Sequence, residues 1–354
     1  MTTIRNNTYL LTLLLVTIML QGCFVDDDHF IENTPRDNFE ALWNIVDDQY
    51  CFFDYKHIDW DSVYNEYAPR VHDNMNSYDF FDLCSSMLAT LEDGHVNLSS
   101  GFSSSYYWKW FQDYPVNYDE RVIHENYLHF DFFQTSGIVY KKLTENIGYV
   151  YYESFSSNIS DVALDYILSR LSLCDGLIID VRNNGGGSLS NVETLVARFI
   201  TQRTLAGYIS HKTGSGHNDF SEPYPYYYNP AQGHILYGKP IVVLTNRHTY
   251  SAANNFVQVM RMLPQVTIIG DRTGGGGGLP FTYNLPNGWN IRLSASPILD
   301  AEGNDTEWGI EPDIDIDMAP DASLTGKDAI LDNAIDYLTN NFHNSTNNYE
   351  IRQN

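Results

Sequence analysis

The chain of 354 residues carries 45 Asp and Glu against 20 Lys and Arg, a formal net charge of −25. So acidic a surface repels phosphate backbones and anionic headgroups, which argues against nucleic acid and anionic membrane surfaces as partners. The length suffices for one large domain or two modest ones, with a core that needs no disulfide staples.

The chain opens on "MTTIRNNTYLLTLLLVTIMLQGC", a weakly basic start at Arg5 followed by an apolar run over residues 9–20. This is the pattern of a secretory signal, and the run is short for a transmembrane helix. Leu20-Gln21-Gly22-Cys23 resembles a bacterial lipobox. That implies diacylation of Cys23 and an outer-membrane lipoprotein of the bacterial cell envelope; a cleaved signal without lipidation is the plainer alternative. The acidic "FVDDDHF" that follows reads as a tether and resembles a lipoprotein surface-export signal. Cys51, Cys84 and Cys174 lack disulfide or zinc spacing and read as small buried hydrophobes.

Residues 37–100 read as a helical domain: Phe39, Leu42, Trp43 and Val46 recur at spacings of three and four, and "DFFDLCSSMLATL" repeats the period. The aromatic-rich connecting segment 101–143, with Trp108 and Trp110, is expected to pack rather than to bind. From residue 144 to 340 strands alternate with helices. "IGYVYYESF", "GLIIDVR", "PIVVLT" and "VTIIGD" are the strands, and Asn287-Gly288 marks a hairpin. This is α/β grammar with a largely parallel sheet. Residues 341–354 form a polar tail expected to fray. With the signal (1–22) and the lipidated tether (23–36), these segments account for the chain.

Ser251 falls where an apolar strand gives way to a helix, a place that suits either a helix N-cap or a nucleophile beside free N–H groups. "DVRNNGGGS" is a glycine-rich strand-to-helix turn, a candidate oxyanion site. Neither glycine run continues as a phosphate-binding loop, and no cofactor or metal is expected. "LEDGHVNLS" supplies His95. His248, three residues before Ser251, need not face its hydroxyl.

Together "LEDGHVNL", "GLIIDVRNNGGG", "PIVVLTNRHTYSAANNF", "VTIIGDRTGGG", "LPNGWNIRLS" and "GIEPDIDI" resemble, in order and rough spacing, the tail-specific (C-terminal processing) serine peptidase superfamily. The likeness leans to its tricorn-core and interphotoreceptor retinoid-binding protein branch and to Bacteroidetes lipoprotein members. It implies a crotonase/ClpP-like α/β core of ββα units with an N-terminal helical cap. The fifty residues between His95 and the core are too few for an intact PDZ domain. The resemblance further implies Ser251 as nucleophile, with Gly186 and Ala252 N–H groups as oxyanion donors and a peptide or unfolded segment as substrate. The lysine of a Ser–Lys dyad would fall on Gly276, inside the run Gly274 to Gly278. With no side chain there, the place is open for another base.

In the His-dependent branch the base falls on His95, titrating near neutrality. Its companion Ser is replaced by Gly94, and Glu307 is the acid, although relatives place it at Thr306. Glu92 and Asp93 are fallback acids that read as solvated. A catalytically inactive peptide-binding lipoprotein is the main alternative. A glycan-directed role, suggested by Trp108 and Trp110, lacks a spaced acid pair.

Overall fold

The computed structural model describes residues 33–351, with side-chain burial to residue 340; the signal segment, Cys23 and the acidic tether lie outside them. The first four helices are α1 (Pro35–Gln49), α2 (Phe53–Lys56), α3 (Trp60–Tyr67) and α4 (Ser77–Leu88). Local chemistry sets their starts. Thr34 and Asp37 close a capping box on α1, and the Asn76 side chain accepts from the N–H groups of Tyr78 and Asp79 at α4. Trp43 and Trp60 stack at 6.3 Å, and each indole N–H donates to the other's carbonyl.

The remaining elements follow in order: β1 (Asn97–Ser99), α5 (Lys109–Gln112), α6 (Glu120–Val122), β2 (Phe133–Thr135), β3 (Ile138–Lys142), β4 (Ile147–Tyr152), α7 (Asp161–Leu171), β5 (Gly176–Asp180) and α8 (Leu189–Val196). Then come β6 (Thr204–Ile209), β7 (Tyr224–Tyr228), β8 (Ile241–Thr245), α9 (Ala252–Met260), β9 (Val266–Gly270), β10 (Gly278–Asn284), β11 (Asn290–Leu299), β12 (Ile314–Asp315), α10 (Ala322–Thr325) and α11 (Ala329–Ile351).

A seven-stranded sheet runs β12-β9-β8-β5-β4-β3-β2. From β12 to β4 the pairs are parallel; β3 and β2 close the edge antiparallel. The central strands β5 and β8 are buried at every residue, as strands covered on both faces must be. Leu177, Ile179 and Val243 meet α7, α8 and α9 on one face. Ile178, Val242 and Leu244 meet Ile330, Leu331, Ala334 and Leu338 of α11 on the other. Alternation along a strand explains this division.

A second, antiparallel sheet, β1-β11-β6-β7 with β10 also on β11, has no counterpart in the expectation of one parallel sheet. The ten-residue β11 is its axis. Ile291, Leu293 and Ala295 on one side of that strand complete the core of the N-terminal helices, together with Leu98, Leu285 and Trp289. In the tail, α11 continues to Ile351; residues 339–351 contain no Pro or Gly to end it.

In a parallel sheet, loops leaving neighbouring strands emerge side by side at the carboxyl edge. Here those loops are the glycine turn after β5, the Ser251 turn after β8 and the glycine run after β9. Backbone bonds knit them: Tyr250 N–H donates to Asn184 O at 3.0 Å, Gly274 N–H to Thr249 O at 2.9 Å, and Ser251 N–H to Gly275 O at 2.8 Å.

Candidate active site

Ser251 precedes the first residue of α9, yet its hydroxyl makes no capping bond. Its backbone sits at φ 57°, ψ −120°, a region that side-chain-bearing residues rarely adopt and that the surrounding loop bonds must hold. The strained turn aims the hydroxyl at His95 Nε2, 2.9 Å away across 156 residues of sequence. Ser251 thus stands at the N-cap position with its hydroxyl turned to His95 instead of to the helix.

His95 is 4% exposed. Burial lowers its pKa to about 4, against the upward pull of the Asp93 carboxylate and with a further push down from Arg292 and Lys56. Burial thus favours the neutral imidazole over the base titrating near neutrality that the resemblance implied. For Ser251 to donate to Nε2, the ring proton must sit on Nδ1. Nδ1 has no hydrogen-bond partner among the described residues; the nearby Gly278 backbone favours the charged ring without forming a bond of ordinary geometry. His248 stands apart, packed on Trp110 and Phe111.

The turn after β5 does not supply the donor expected of it. Gly186 N–H donates to the Asn184 side chain at 3.0 Å and is already engaged. What Gly186 contributes is room. At φ +100°, a Cβ there would lie 2.8 Å from Ser251 Cβ and 2.9 Å from Ala252 N. Ala252 N–H, the first of α9, donates to no group among the described residues, and neither does Gly187 N–H in the same turn. Two unengaged donors thus border the serine.

A buried charge cluster lies behind His95. Lys56, on α2, donates to Leu91 O at 3.2 Å, Glu92 O at 3.1 Å and Glu307 Oε1 at 2.8 Å, which uses all three of its hydrogens. Glu307 Oε2 accepts from Gly277 N–H at 2.8 Å. Glu307 therefore faces Lys56 and the glycine run and makes no bond to His95. Thr306 is turned elsewhere, bonded to Asn254.

Asp93 is not solvated, as its place at a helix end suggested, but 1% exposed. It accepts His95 N–H at 2.7 Å and lies 3.9 Å from Lys56 Nζ. One ammonium serves two carboxylates. Burial would raise Asp93, but Lys56 and His95 hold it below its ordinary value. Burial, with Asp93 beside it, pushes Glu307 upward. Glu92 is exposed.

Two cavities, of about 230 and 440 Å³, meet at the serine: Ser251, Gly187 and Arg292 line both. The first is floored by the amides of Asn254, Asn255 and Gln258, and the second is walled by Tyr106, Trp108 and Trp110. Among the described residues no cluster of His, Cys, Asp or Glu could hold a metal ion.

With this geometry in place, comparison with known proteins gives a consistent answer. Residues 146–316 match the model of peptidase family S41, and residues 31–89 match that of the tricorn protease C1 domain. A crystal structure of a Parabacteroides merdae protein assigned as a peptidase is 49% identical, with a TM-score of 0.83 over 87% of this chain and 97% of that one. The chain belongs to peptidase family S41.

Among curated S41-type relatives, the tricorn protease of Thermoplasma acidophilum is 31% identical over 48% of this chain and 14% of its own length. The carboxy-terminal processing protease CtpA of Bacillus subtilis is 28% identical over 54% and 40%. The chain thus spans less than half the length of the curated relatives it matches.

Two positions that the sequence resemblance singled out, Gly94 and Gly276, are plugged by aromatic rings. A Cβ at Gly94 would meet Trp110 Nε1 at 2.6 Å, so the indole fills the space of the absent Ser side chain. A Cβ at Gly276 would meet the Tyr250 ring at 2.5 Å. The glycine run therefore leaves no opening for a second base; Tyr250 and Trp110, stacked at 4.1 Å, occupy it. Lys56, Tyr250 and Arg292 went unrecognised in the sequence, and Asp93 was held only as a fallback acid and read as solvated. Only the adjacency of Asp93 to His95 was a usable signal; the others are brought in by tertiary packing.

Proposed function

We propose that this S41 chain is a serine endopeptidase, tied to the bacterial cell envelope by lipid on Cys23, that cleaves peptides or unfolded protein segments through an acyl-enzyme on Ser251. The supporting observation is the 2.9 Å Ser251–His95 contact made by a serine in a strained, non-capping turn. His95 Nε2 takes the hydroxyl proton as the oxygen attacks the peptide carbonyl carbon. Ala252 N–H, with Gly187 N–H beside it, receives the negative charge forming on the carbonyl oxygen. Protonated His95 returns the proton to the leaving amine, and water activated by the same ring clears the ester. The ionised Asp93 favours the transient imidazolium. The fold is read as a crotonase/ClpP-like core under an N-terminal helical cap without an intact PDZ domain, so tail selection is not carried over from the family.

A fluorophosphonate probe tests the core of this reading. Wild type should be labelled at Ser251, and Ser251→Ala and His95→Ala should each lose peptidase activity while keeping the wild-type circular dichroism. Full activity in either variant would refute the mechanism. One observation favours the second reading, an inactive peptide-binding lipoprotein: His95 Nδ1 has no hydrogen-bond partner among the described residues, and Glu307 is committed to Lys56. Absence of labelling across several probes would select it. For the anchor, Cys23→Ala should release the protein from the membrane fraction, and protease shaving of intact cells separates a surface from a periplasmic location.

A further inference from the structure

Among the described residues the arginines are nearly all accounted for. Arg182 pairs with Asp180 and Asp328, Arg198 with Asp161 and Asp165, and Arg261 with Asp300. Arg36, Arg121, Arg247 and Arg272 each have a carboxylate within 4 Å. Arg70, Arg170 and Arg203 are exposed and lie over tyrosine or phenylalanine rings.

Arg292 has neither kind of partner among the described residues. Among the described residues its guanidinium makes a single hydrogen bond, a long one of 3.4 Å to the Asn97 side chain on β1. The strand alternation that buries Ile291 and Leu293 under the N-terminal helices turns Arg292 to the opposite side, where it lines both cavities that meet at Ser251. An arginine kept only to join strands would be expected to take one of the many available carboxylates. A half-buried guanidinium with open donors beside a nucleophile is suited to a planar anion supplied from outside.

We propose that Arg292 is the carboxylate receptor of this site: it holds an acidic side chain, or the terminal carboxylate, of the substrate segment lying beside Ser251. The inference rests on the peptidase reading above and adds a substrate class to it. The long-range field of a chain with net charge −25 opposes acidic peptides. Selection must therefore come from this close contact, where water is partly excluded.

Two matched sets of fluorogenic peptides test it. One set, blocked at both ends, places Asp or Glu against Asn or Gln at each position flanking the cut. The other compares a free C-terminal carboxylate with its carboxamide. Wild type should favour the anion by about tenfold or more in kcat/KM in one set, and that set identifies the source. Arg292→Met should reduce the ratio to within about twofold, and Arg292→Glu should reverse it against Lys-containing peptides. Because each ratio is internal to one variant, partial unfolding or a general loss of rate cancels. A wild-type ratio near one in both sets, or a preference that survives in Arg292→Met, overturns the proposal. If wild type cleaves neither set, the peptidase reading fails, and Arg292 is judged by fluorescence anisotropy of the same peptides: an anion preference in binding that Arg292→Met abolishes supports the proposal, and its absence overturns it.

Discussion

At the scale of single residues, the state of His95 sets the pH behaviour. Its pKa in the fold is about 4, below the ordinary imidazole value of 6.5, because burial penalises the charged ring. Between those two values the unfolded chain binds more protons than the folded one, so stability is present above pH 6.5 and is lost as pH falls towards 4. The loss amounts to about 3 kcal/mol for a shift of this size. Urea titrations at a series of pH values should show it, and His95→Gln should flatten that limb. The acid limb of kcat/KM should likewise lie near the folded-state pKa rather than near neutrality. Gly186 offers a second residue-scale prediction. Gly186→Ala forces a Cβ against Tyr250 O at 2.7 Å and into the space before Ala252 N. About 10²–10³-fold should be lost from kcat if that space holds the oxyanion, measured beside intact near-ultraviolet dichroism.

At the scale of elements, α2 does more than its four residues suggest. Phe53 enters the helical core while Lys56, three positions on, ties the turn before His95 to Glu307 and so to Gly277. Lys56→Met should leave two buried carboxylates without their cation and cost about 3–5 kcal/mol. The damage should lessen at lower pH, where Glu307, already pushed upward, takes a proton. Chemical denaturation at pH 5 and pH 8 distinguishes this from simple loss of packing. Much of the fold was legible at this scale: β4, β5, β8 and β9 are apolar runs, α1 and α4 carry their period, and Ser251 falls at a strand-to-helix junction. The pairing of β11 with β1 and β6 was not, because nothing local specifies a partner so distant in the chain. Glu307 was found but assigned the wrong neighbour, since its true partner, Lys56, lies on a short helix with no motif. The glycine run was read as an opening; that error came from judging side chains missing from one loop without the rings of Tyr250 and Trp110 that fill their place.

At the scale of the molecule, the N-terminal helices and the β10–β11 hairpin share one core. Leu285, Trp289, Ile291, Leu293 and Ala295 are buried against Phe39, Leu42, Phe53, Phe80 and Phe81. The helical segment is therefore not expected to stand alone. A fragment covering residues 33–100 should show little near-ultraviolet dichroism and rapid amide exchange, and adding the rest of the chain in trans should restore both if the shared core is what orders it. A fragment that folds cooperatively by itself would remove this account.

The same shared core has a consequence in time. His95 belongs to the first third of the polypeptide and Ser251 to the last, and the hairpin that seats the helices beside the sheet is made after both. While the chain is being synthesised, the proposed nucleophile and base have no common frame. Only when β11 arrives can they meet. A chain built in this order cannot hold the 2.9 Å Ser251–His95 contact until β11 has paired with β1, so the hairpin acts as the latch of the proposed site.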